Sequence, residues 1–266
     1  RTVAIYSEAD ANSQHVSMAD EAVLIGPADP KESYLNIKAI MKAAKDSGSE
    51  AIHPGYGFLS ENTSLIDASM KQGITFIGPS SKVVKVMGDK VKARLAAQDA
   101  GLQLVPGTLK AVTRRQGLKL ATAIGFPLMV KAIGGGGGIG IIKVTEKDHL
   151  KDAITRASAI SKGNFANGGV YLEKFIEGAS HIEVQIVRDM FGKTLHLFER
   201  DCSIQRRNQK IIEESPALKL SKRAKNKIYT AAVRLANSIG YTGVGTVEFL
   251  MDDTSTIYFL EMNTRL

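Results

Sequence analysis

Short apolar runs alternate with amphipathic stretches along the first 80 residues. "TVAIYS" and "EAVLIG" are compact runs, the second closed by Gly26-Pro27. Between Ser33 and Gly48, Leu35, Ile37, Ile40, Met41 and Ala44 recur at helical spacing, which predicts an amphipathic helix. "EAIHPGYGFLSEN" reads as a strand running into a Gly/Pro loop, "SLIDASMKQG" as a helix, and "ITFIGPS" as a strand stopped by Gly78-Pro79. This β-α-β rhythm belongs to a parallel sheet covered by helices.

The pattern then changes. "SKVVKVMGDKVKARLAAQDAG" and "RRQGLKLATAIG" predict helices on either side of a "VPG" turn. "PLMVKAI" and "IGIIKV" are strands separated by a glycine run, and "EKDHLKDAITRASAISKG" is a helix. "GGVYLEKFI", "SHIEVQIVRD" and "TLHLFERDCSIQ" alternate in the manner of an antiparallel sheet with one wet face. "SKRAKNKIYTAAVRLANSIGY" is amphipathic, and a closing hairpin pairs "GTVEFLMDD" with "STIYFLEMNT" around Asp252-Asp253. The boundaries that follow are an α/β unit over residues 1–82 and an α+β unit over 83–266. Residues 104–176 form a hairpin-rich lobe within the second unit.

Composition adds little against this picture. Hydrophobic residues make up 44% of the chain and no apolar run reaches the ~18 residues of a membrane span. The net charge is +8, but the cations are scattered and aromatics are only 6%, so a small polyanion is a better partner than nucleic acid. The single Cys202 fits a reducing compartment, meaning the cytosol or an organelle matrix. The chain opens at Arg1 with a strand under way, which reads as a piece of a longer protein.

Four stretches could carry chemistry. The first is "VKAIGGGGGIGIIKV". Glycine N–H groups can converge on phosphate oxygens because no Cβ intervenes. No Lys-Ser/Thr follows, and a strand rather than a helix comes next, so neither the Walker nor the dinucleotide pattern applies. A surface hairpin tip and a flap over a nucleotide both remain open. The second is the terminal hairpin. Glu261 and Asn263 are two apart and share a face, and Glu248 can face them across the ladder. Two carboxylates and an amide oxygen suit Mg²⁺ with ATP phosphates. The third, "ERDCSIQRRNQKIIEE", is a solvated edge or an anion site, and charge alone favours the edge. The fourth, "HPGYGFLSEN", reads as a turn capped by Ser60.

These motifs occur in one order with "FIGPS", "MGDK", "EKFIEGASHIEVQI", "ERDCSIQRRNQKIIEESPA", "GTVEFL" and "EMNTRL". Together they span essentially the whole chain and closely resemble the biotin carboxylase component of biotin-dependent acyl-CoA carboxylases, an ATP-grasp enzyme. "QRRNQK", with Asn208 where many relatives have His, is most similar to the propionyl-CoA carboxylase branch.

The resemblance implies a truncated Rossmann-like pre-ATP-grasp domain, lacking its first β-α unit, over residues 1–82. An incomplete ATP-grasp domain follows over 83–266, with a lid at 104–176 and no C-terminal domain. It implies a ligase that uses ATP, Mg²⁺ or Mn²⁺, and bicarbonate to make carboxyphosphate. The ligase then carboxylates biotin on a carrier domain that serves a carboxyltransferase. As given, the chain is expected to bind MgATP and to be incomplete for catalysis.

The implied roles are these. Lys90 and Lys131 contact ATP phosphates, and Gly137 and Gly138 close over them. Glu173 and Lys174 sit at the adenine hinge and His181 near the ribose. Gln205 and Asn208 lie by the nucleotide, and Lys210 holds bicarbonate. Glu248, Glu261 and Asn263 bind the metal, and Arg265 steadies the reacting charges. Ile139 stands where many relatives have Lys or Arg, so looser lid closure is expected and Ile139→Lys should tighten ATP binding. Acetyl-CoA, methylcrotonyl-CoA and pyruvate carboxylases, carbamoyl-phosphate synthase and a non-catalytic nucleotide-binding module remain alternatives.

Overall fold

The computed structural model describes residues 1–133, 140–164 and 169–266. The chain divides into two compact units, Arg1–Lys85 with Thr264–Leu266, and Val86–Asn263.

In the first unit β1 (Val3–Ser7) leads through a 3₁₀ turn and the short helix α1 (Gln14–Met18) to β2 (Glu21–Gly26). α2 (Ile37–Asp46), β3 (Ala51–Ile52), α3 (Thr63–Lys71) and β4 (Thr75–Phe76) follow. β1 pairs parallel with β2, and β3 parallel with β4, as the alternating pattern predicts. α2 starts later than its apolar pattern suggests. Asn36 accepts a bond from the Ala39 amide and caps the helix, so Ser33 to Leu35 stay in the preceding turn. The face carrying Ile40, Met41 and Ala44 is buried with Ile25, Leu59, Leu65 and Ile74. α3 is capped by Asn62 rather than Ser60: its Oδ1 accepts from the Ser64 and Leu65 amides at 2.9 and 3.2 Å.

α4 (Ser81–Met87) and α5 (Lys90–Asp99) divide what reads in sequence as one helix. The Asp89 carboxylate accepts bonds from the Val91 and Lys92 amides, which starts a new helix after Gly88. This cap makes Lys90 the first residue of α5.

The second unit carries two antiparallel sheets. α6 (Arg114–Ile124), β5 (Leu128–Ala132), β6 (Ile141–Val144), α7 (Lys147–Asn164) and β7 (Val170–Lys174) make a three-stranded sheet, order β6-β5-β7, with two helices. It has its own core of Leu128, Val130, Leu150, Ile154 and Leu172. α6 opens with a reciprocal Thr113–Gln116 capping box.

The larger sheet comes from β8 (Ser180–Arg188), β9 (Thr194–Arg206), β10 (Gln209–Glu214), α8 (Lys222–Ser238), β11 (Gly243–Met251) and β12 (Ile257–Asn263). Its strand order is β10-β9-β8-β11-β12. Along β8, Ile182, Val184 and Ile186 are wholly buried, while His181, Glu183 and Gln185 take the other face. The β9–β10 connection is a two-residue turn in which Arg207 (φ 53°) and Asn208 (φ 64°) are both left-handed. β10 has no apolar alternation to announce it, and its charges hide the strand in the sequence. Among the described residues no helix is long and apolar enough to cross a membrane.

Candidate functional site

Strand register builds the site. Glu248 on β11 pairs with Glu183 on β8 and with Glu261 on β12, and Glu183 pairs with Arg200 on β9. Directly paired residues share a face, so Arg200, Glu183, Glu248 and Glu261 form one row across four strands. One step along lies a second row, Gln185, Thr246 and Asn263.

The carboxylates in that row are compensated unequally. Glu183 receives the Arg200 Nε at 2.5 Å and also the Lys210 ammonium. Glu248 receives Lys210 Nζ at 2.8 Å, Asn263 Nδ2 at 2.6 Å and His181 Nε2 at 2.7 Å. Burial pushes the Glu248 carboxyl upward, but His181 and Lys210 outweigh it and hold it below the usual carboxylate range. Lys210 is likewise disfavoured by burial, yet Glu248 and Glu183 raise it, so it is a firmly charged ammonium.

Glu261 differs. Among the described residues nothing donates a hydrogen bond to it, and burial and then the Glu248 charge raise its pKa. The compensating charges, Lys90 and Lys131, act at a distance. Lys90 is itself lowered by burial, opposed by Glu261. Glu261 with Glu248 and the free carbonyl oxygen of Asn263 is therefore a hard-oxygen set short of one cation. That fits a divalent metal carrying a polyphosphate.

His181 is fixed by its neighbour. Gln205 Nε2 lies 2.8 Å from the Cys202 carbonyl oxygen and 2.7 Å from His181 Nδ1. A carbonyl oxygen only accepts, so the near amide atom must be the nitrogen, and its second N–H faces Nδ1. Nδ1 is then the acceptor, and the ring proton sits on Nε2, donated to Glu248.

Of the residues expected from sequence, His181, Gln205, Lys210, Glu248, Glu261 and Asn263 converge here. Lys131 and Glu173 make a second, buried group: Glu173 binds Arg94 through one oxygen and Lys131 through the other. The Glu173 side chain is thus committed to an interior ion pair, and its residue pairs with Met129 in the β5–β7 ladder. Lys174 Nζ donates to the Phe126 carbonyl at 2.8 Å. Asn208 occupies the turn, in a conformation that Asn and His tolerate better than most residues. Arg265 lies in the first unit, its Nε 3.9 Å from Glu61, whose other oxygen takes the Thr264 amide and hydroxyl. Gly137, Gly138 and Ile139 lie outside the described residues.

Glu183, Arg200, Gln185 and Thr246 escaped sequence reading. The signal was present in "SHIEVQIV", where His181, Glu183 and Gln185 occupy alternate positions between fully buried neighbours. The charged stretch at 199–214 divides by strand alternation. Arg200 and Lys210 face the site, while Glu199 turns to α8 and binds Lys225 at 2.6 Å, Tyr229 and the Ala217 amide. Cys202 is buried, and burial followed by the Glu183 charge pushes its thiol up to about 12, which removes it as a nucleophile.

Residues 1–84 match the family model described as biotin carboxylase, N-terminal domain, and residues 89–266 the model described as carbamoyl-phosphate synthase L chain, ATP binding domain. Biotin carboxylase 2 of Bacillus subtilis (strain 168) is 47% identical over 267 residues, covering 100% of this chain and 60% of that protein. The crystal structure of a Campylobacter jejuni biotin carboxylase with beta-gamma-ATP superposes with a TM-score of 0.97 at 44% identity, over 99% of this chain and 59% of the other. The biotin carboxylase domain dimer of Hydrogenobacter thermophilus 2-oxoglutarate carboxylase, with MgADP, ADP and bicarbonate, gives 0.95 at 43%, over 100% and 59%. The chain thus spans about 60% of the length of these biotin carboxylases.

Proposed function

The chain belongs to the ATP-grasp family described as carbamoyl-phosphate synthase L chain, ATP binding domain, with a biotin carboxylase N-terminal domain ahead of it; on that premise we propose that it carries the MgATP site of a biotin carboxylase. The reaction is ATP-dependent carboxylation of biotin on a carrier domain, with bicarbonate as the carbon source. A bicarbonate oxygen attacks the γ-phosphorus and ADP leaves. The resulting carboxyphosphate gives its carboxyl group to biotin and releases phosphate. A carboxyltransferase then passes the carboxyl group to an acyl-CoA. Propionyl-CoA is the acceptor we infer, on the similarity carried by "QRRNQK".

What supports the reading most is the Glu183–Glu248–Glu261 row, in which, among the described residues, Glu261 has no bonded cation while Lys90 and Lys131 act on it at a distance. Bicarbonate is a poor nucleophile and must approach a polyanion. Cations must therefore neutralise the γ-phosphate and hold both reactants in line. Glu248, Glu261 and Asn263 would hold the divalent metal, which neutralises phosphate charge when bound. Lys90 and Lys131 supply positive charge from the protein side, with Gly137 and Gly138 over the phosphates. Glu173 and Lys174 would sit at the adenine hinge, and His181, Gln205 and Asn208 would line the nucleotide. Lys210, too strongly protonated to act as a base, would hold bicarbonate, and Arg265 would steady the developing charge.

Transfer of isotope-labelled bicarbonate onto biotin, measured for this protein with a biotinylated carrier domain, tests the proposal. Label in biotin that requires both ATP and Mg²⁺ is the expected result. Label that enters carbamoyl phosphate when ammonia is supplied, with none in biotin, would contradict it.

A further inference from the structure

Arg200 stands in the acidic row, and the proposed reaction gives it no task. It pairs with Glu183 across β8 and β9, and its guanidinium reaches three acceptors. Nε donates to Glu183, Nη1 to Gln185 Oε1 at 3.1 Å, and Nη2 reaches toward Thr246 Oγ1 at 3.5 Å. Two of the acceptors are themselves held. Gln185 Nε2 donates to the Gly245 carbonyl at 2.9 Å, which turns the amide oxygen to Arg200. The Thr246 hydroxyl donates to that same oxygen at 3.2 Å, and Thr246 is the ladder partner of Gln185 on β11. A fourth neighbour, Glu213, is half-exposed and 3.6 Å from Nε. Among the described residues, Arg200 bonds to none of Glu248, Glu261 and Asn263.

The consequence falls on Lys210. Glu183 is buried and gives one oxygen to Arg200 and the other to Lys210. Lys210 also donates to Glu248, which is buried too. Two buried carboxylates therefore flank one ammonium, and a single positive charge cannot compensate both. Arg200 supplies the second charge. With it in place Glu183 needs Lys210 through one oxygen only, and the ammonium stays shared between the two carboxylates. Two of its three N–H groups are then used, and among the described residues the third has no partner. The Lys210 side chain is 24% exposed, so a small anion can approach it.

We propose that Arg200 is the positioning residue for Lys210: by compensating Glu183 it keeps the Lys210 ammonium shared with Glu248 and one donor free for bicarbonate, on the reading above that Lys210 holds bicarbonate. Without Arg200, Glu183 is left with one cation and draws Lys210 onto itself, away from Glu248. The shape of the guanidinium matters as well as its charge. Its fork holds Glu183 and Gln185 on β8 and reaches Thr246 on β11 at once, which fixes the angle at which Glu183 meets Lys210. A lysine at position 200 would return the charge without the fork.

The test compares wild type with Arg200→Met, Arg200→Lys and Glu213→Gln in two measurements. The first is labelling of biotin on a carrier domain at varied bicarbonate and at varied ATP. Arg200→Met should raise the bicarbonate KM about tenfold or more and the ATP KM less than about twofold. Arg200→Lys should lie between Arg200→Met and wild type. Glu213→Gln removes only a half-exposed partner and should change either KM less than about twofold. The second measurement is the crystal structure of each protein without substrates. Lys210 Nζ should move off Glu248 in Arg200→Met and stay beside it in wild type. The proposal is overturned if Lys210 keeps its place in Arg200→Met, or if both KM values rise together, as a general loss of structure would give. It is also overturned if Arg200→Lys matches wild type or if Glu213→Gln reproduces Arg200→Met. A wild type that labels no biotin, with Lys210 still displaced in Arg200→Met, would overturn the bicarbonate reading and leave the positioning role standing.

Discussion

At Gln205 one amide decides the state of a neighbouring ring. Its nitrogen is tied to the Cys202 carbonyl, so it can only donate to His181, and His181 can only donate to Glu248. Gln205→Leu removes that constraint. In ¹⁵N NMR spectra the wild-type His181 should show a single tautomer protonated at Nε2, and the variant a mixture of both. An unchanged tautomer in the variant would mean that Gln205 does not position the ring. Cys202 gives a simpler check. With its thiol pushed up to about 12, it should resist alkylation at mildly alkaline pH in the folded protein and react once the protein is unfolded. Rapid labelling of the native state would contradict the burial argument. The sequence made Glu248, Glu261 and Asn263 legible because a two-residue period places side chains on one face. Glu183 was hidden because its partners, Arg200 and Lys210, lie on β9 and β10, and only the register joins them.

At the scale of elements, caps and pairs decide what periodicity leaves open. The apolar spacing over 81–101 continues through Gly88, so only the Asp89 cap reveals two helices there. The β9–β10 turn could not be read because Arg207-Asn208 is an unusual pair for two left-handed positions, and the strand after it is polar. By contrast, the strands on either side of the glycine run were plain in their apolar content, and β5 and β6 pair antiparallel as a hairpin should. Glu173 tests whether an ion pair or a nucleotide contact explains a buried charge. Glu173→Gln leaves Arg94 and Lys131 uncompensated in the interior. It should cost about 3–5 kcal/mol of stability, measured by urea denaturation. A variant of wild-type stability with weakened ATP binding would move Glu173 from structural support to nucleotide contact.

At the scale of the whole molecule, each unit has its own apolar core, and the Glu183–Glu248–Glu261 row lies on one face of the five-stranded sheet. The β-α-β rhythm and the antiparallel alternation were both visible in sequence, because each has a distinct period. That face also predicts a pH dependence. The folded Glu261 carboxyl is raised by burial and by Glu248. Its protonated form therefore favours the fold: the contribution is full below the ordinary carboxylate value near ~4.3 and is lost as pH rises through the higher folded value. A divalent cation binding both carboxylates competes with that proton. Mg²⁺-dependent nucleotide affinity should rise with pH across this window and then level off. Affinity that falls over the same range would be inconsistent with a cation at Glu261.

Calorimetric titration of the chain with ADP, with and without Mg²⁺, in wild type and in Glu261→Gln, tests the acidic hairpin most directly. Mg²⁺ should strengthen ADP binding in wild type, and the substitution should remove most of that gain, ~10-fold or more, with metal-free affinity little changed. An equal Mg²⁺ effect in both proteins, or none in wild type, would contradict a metal–nucleotide site on β11 and β12.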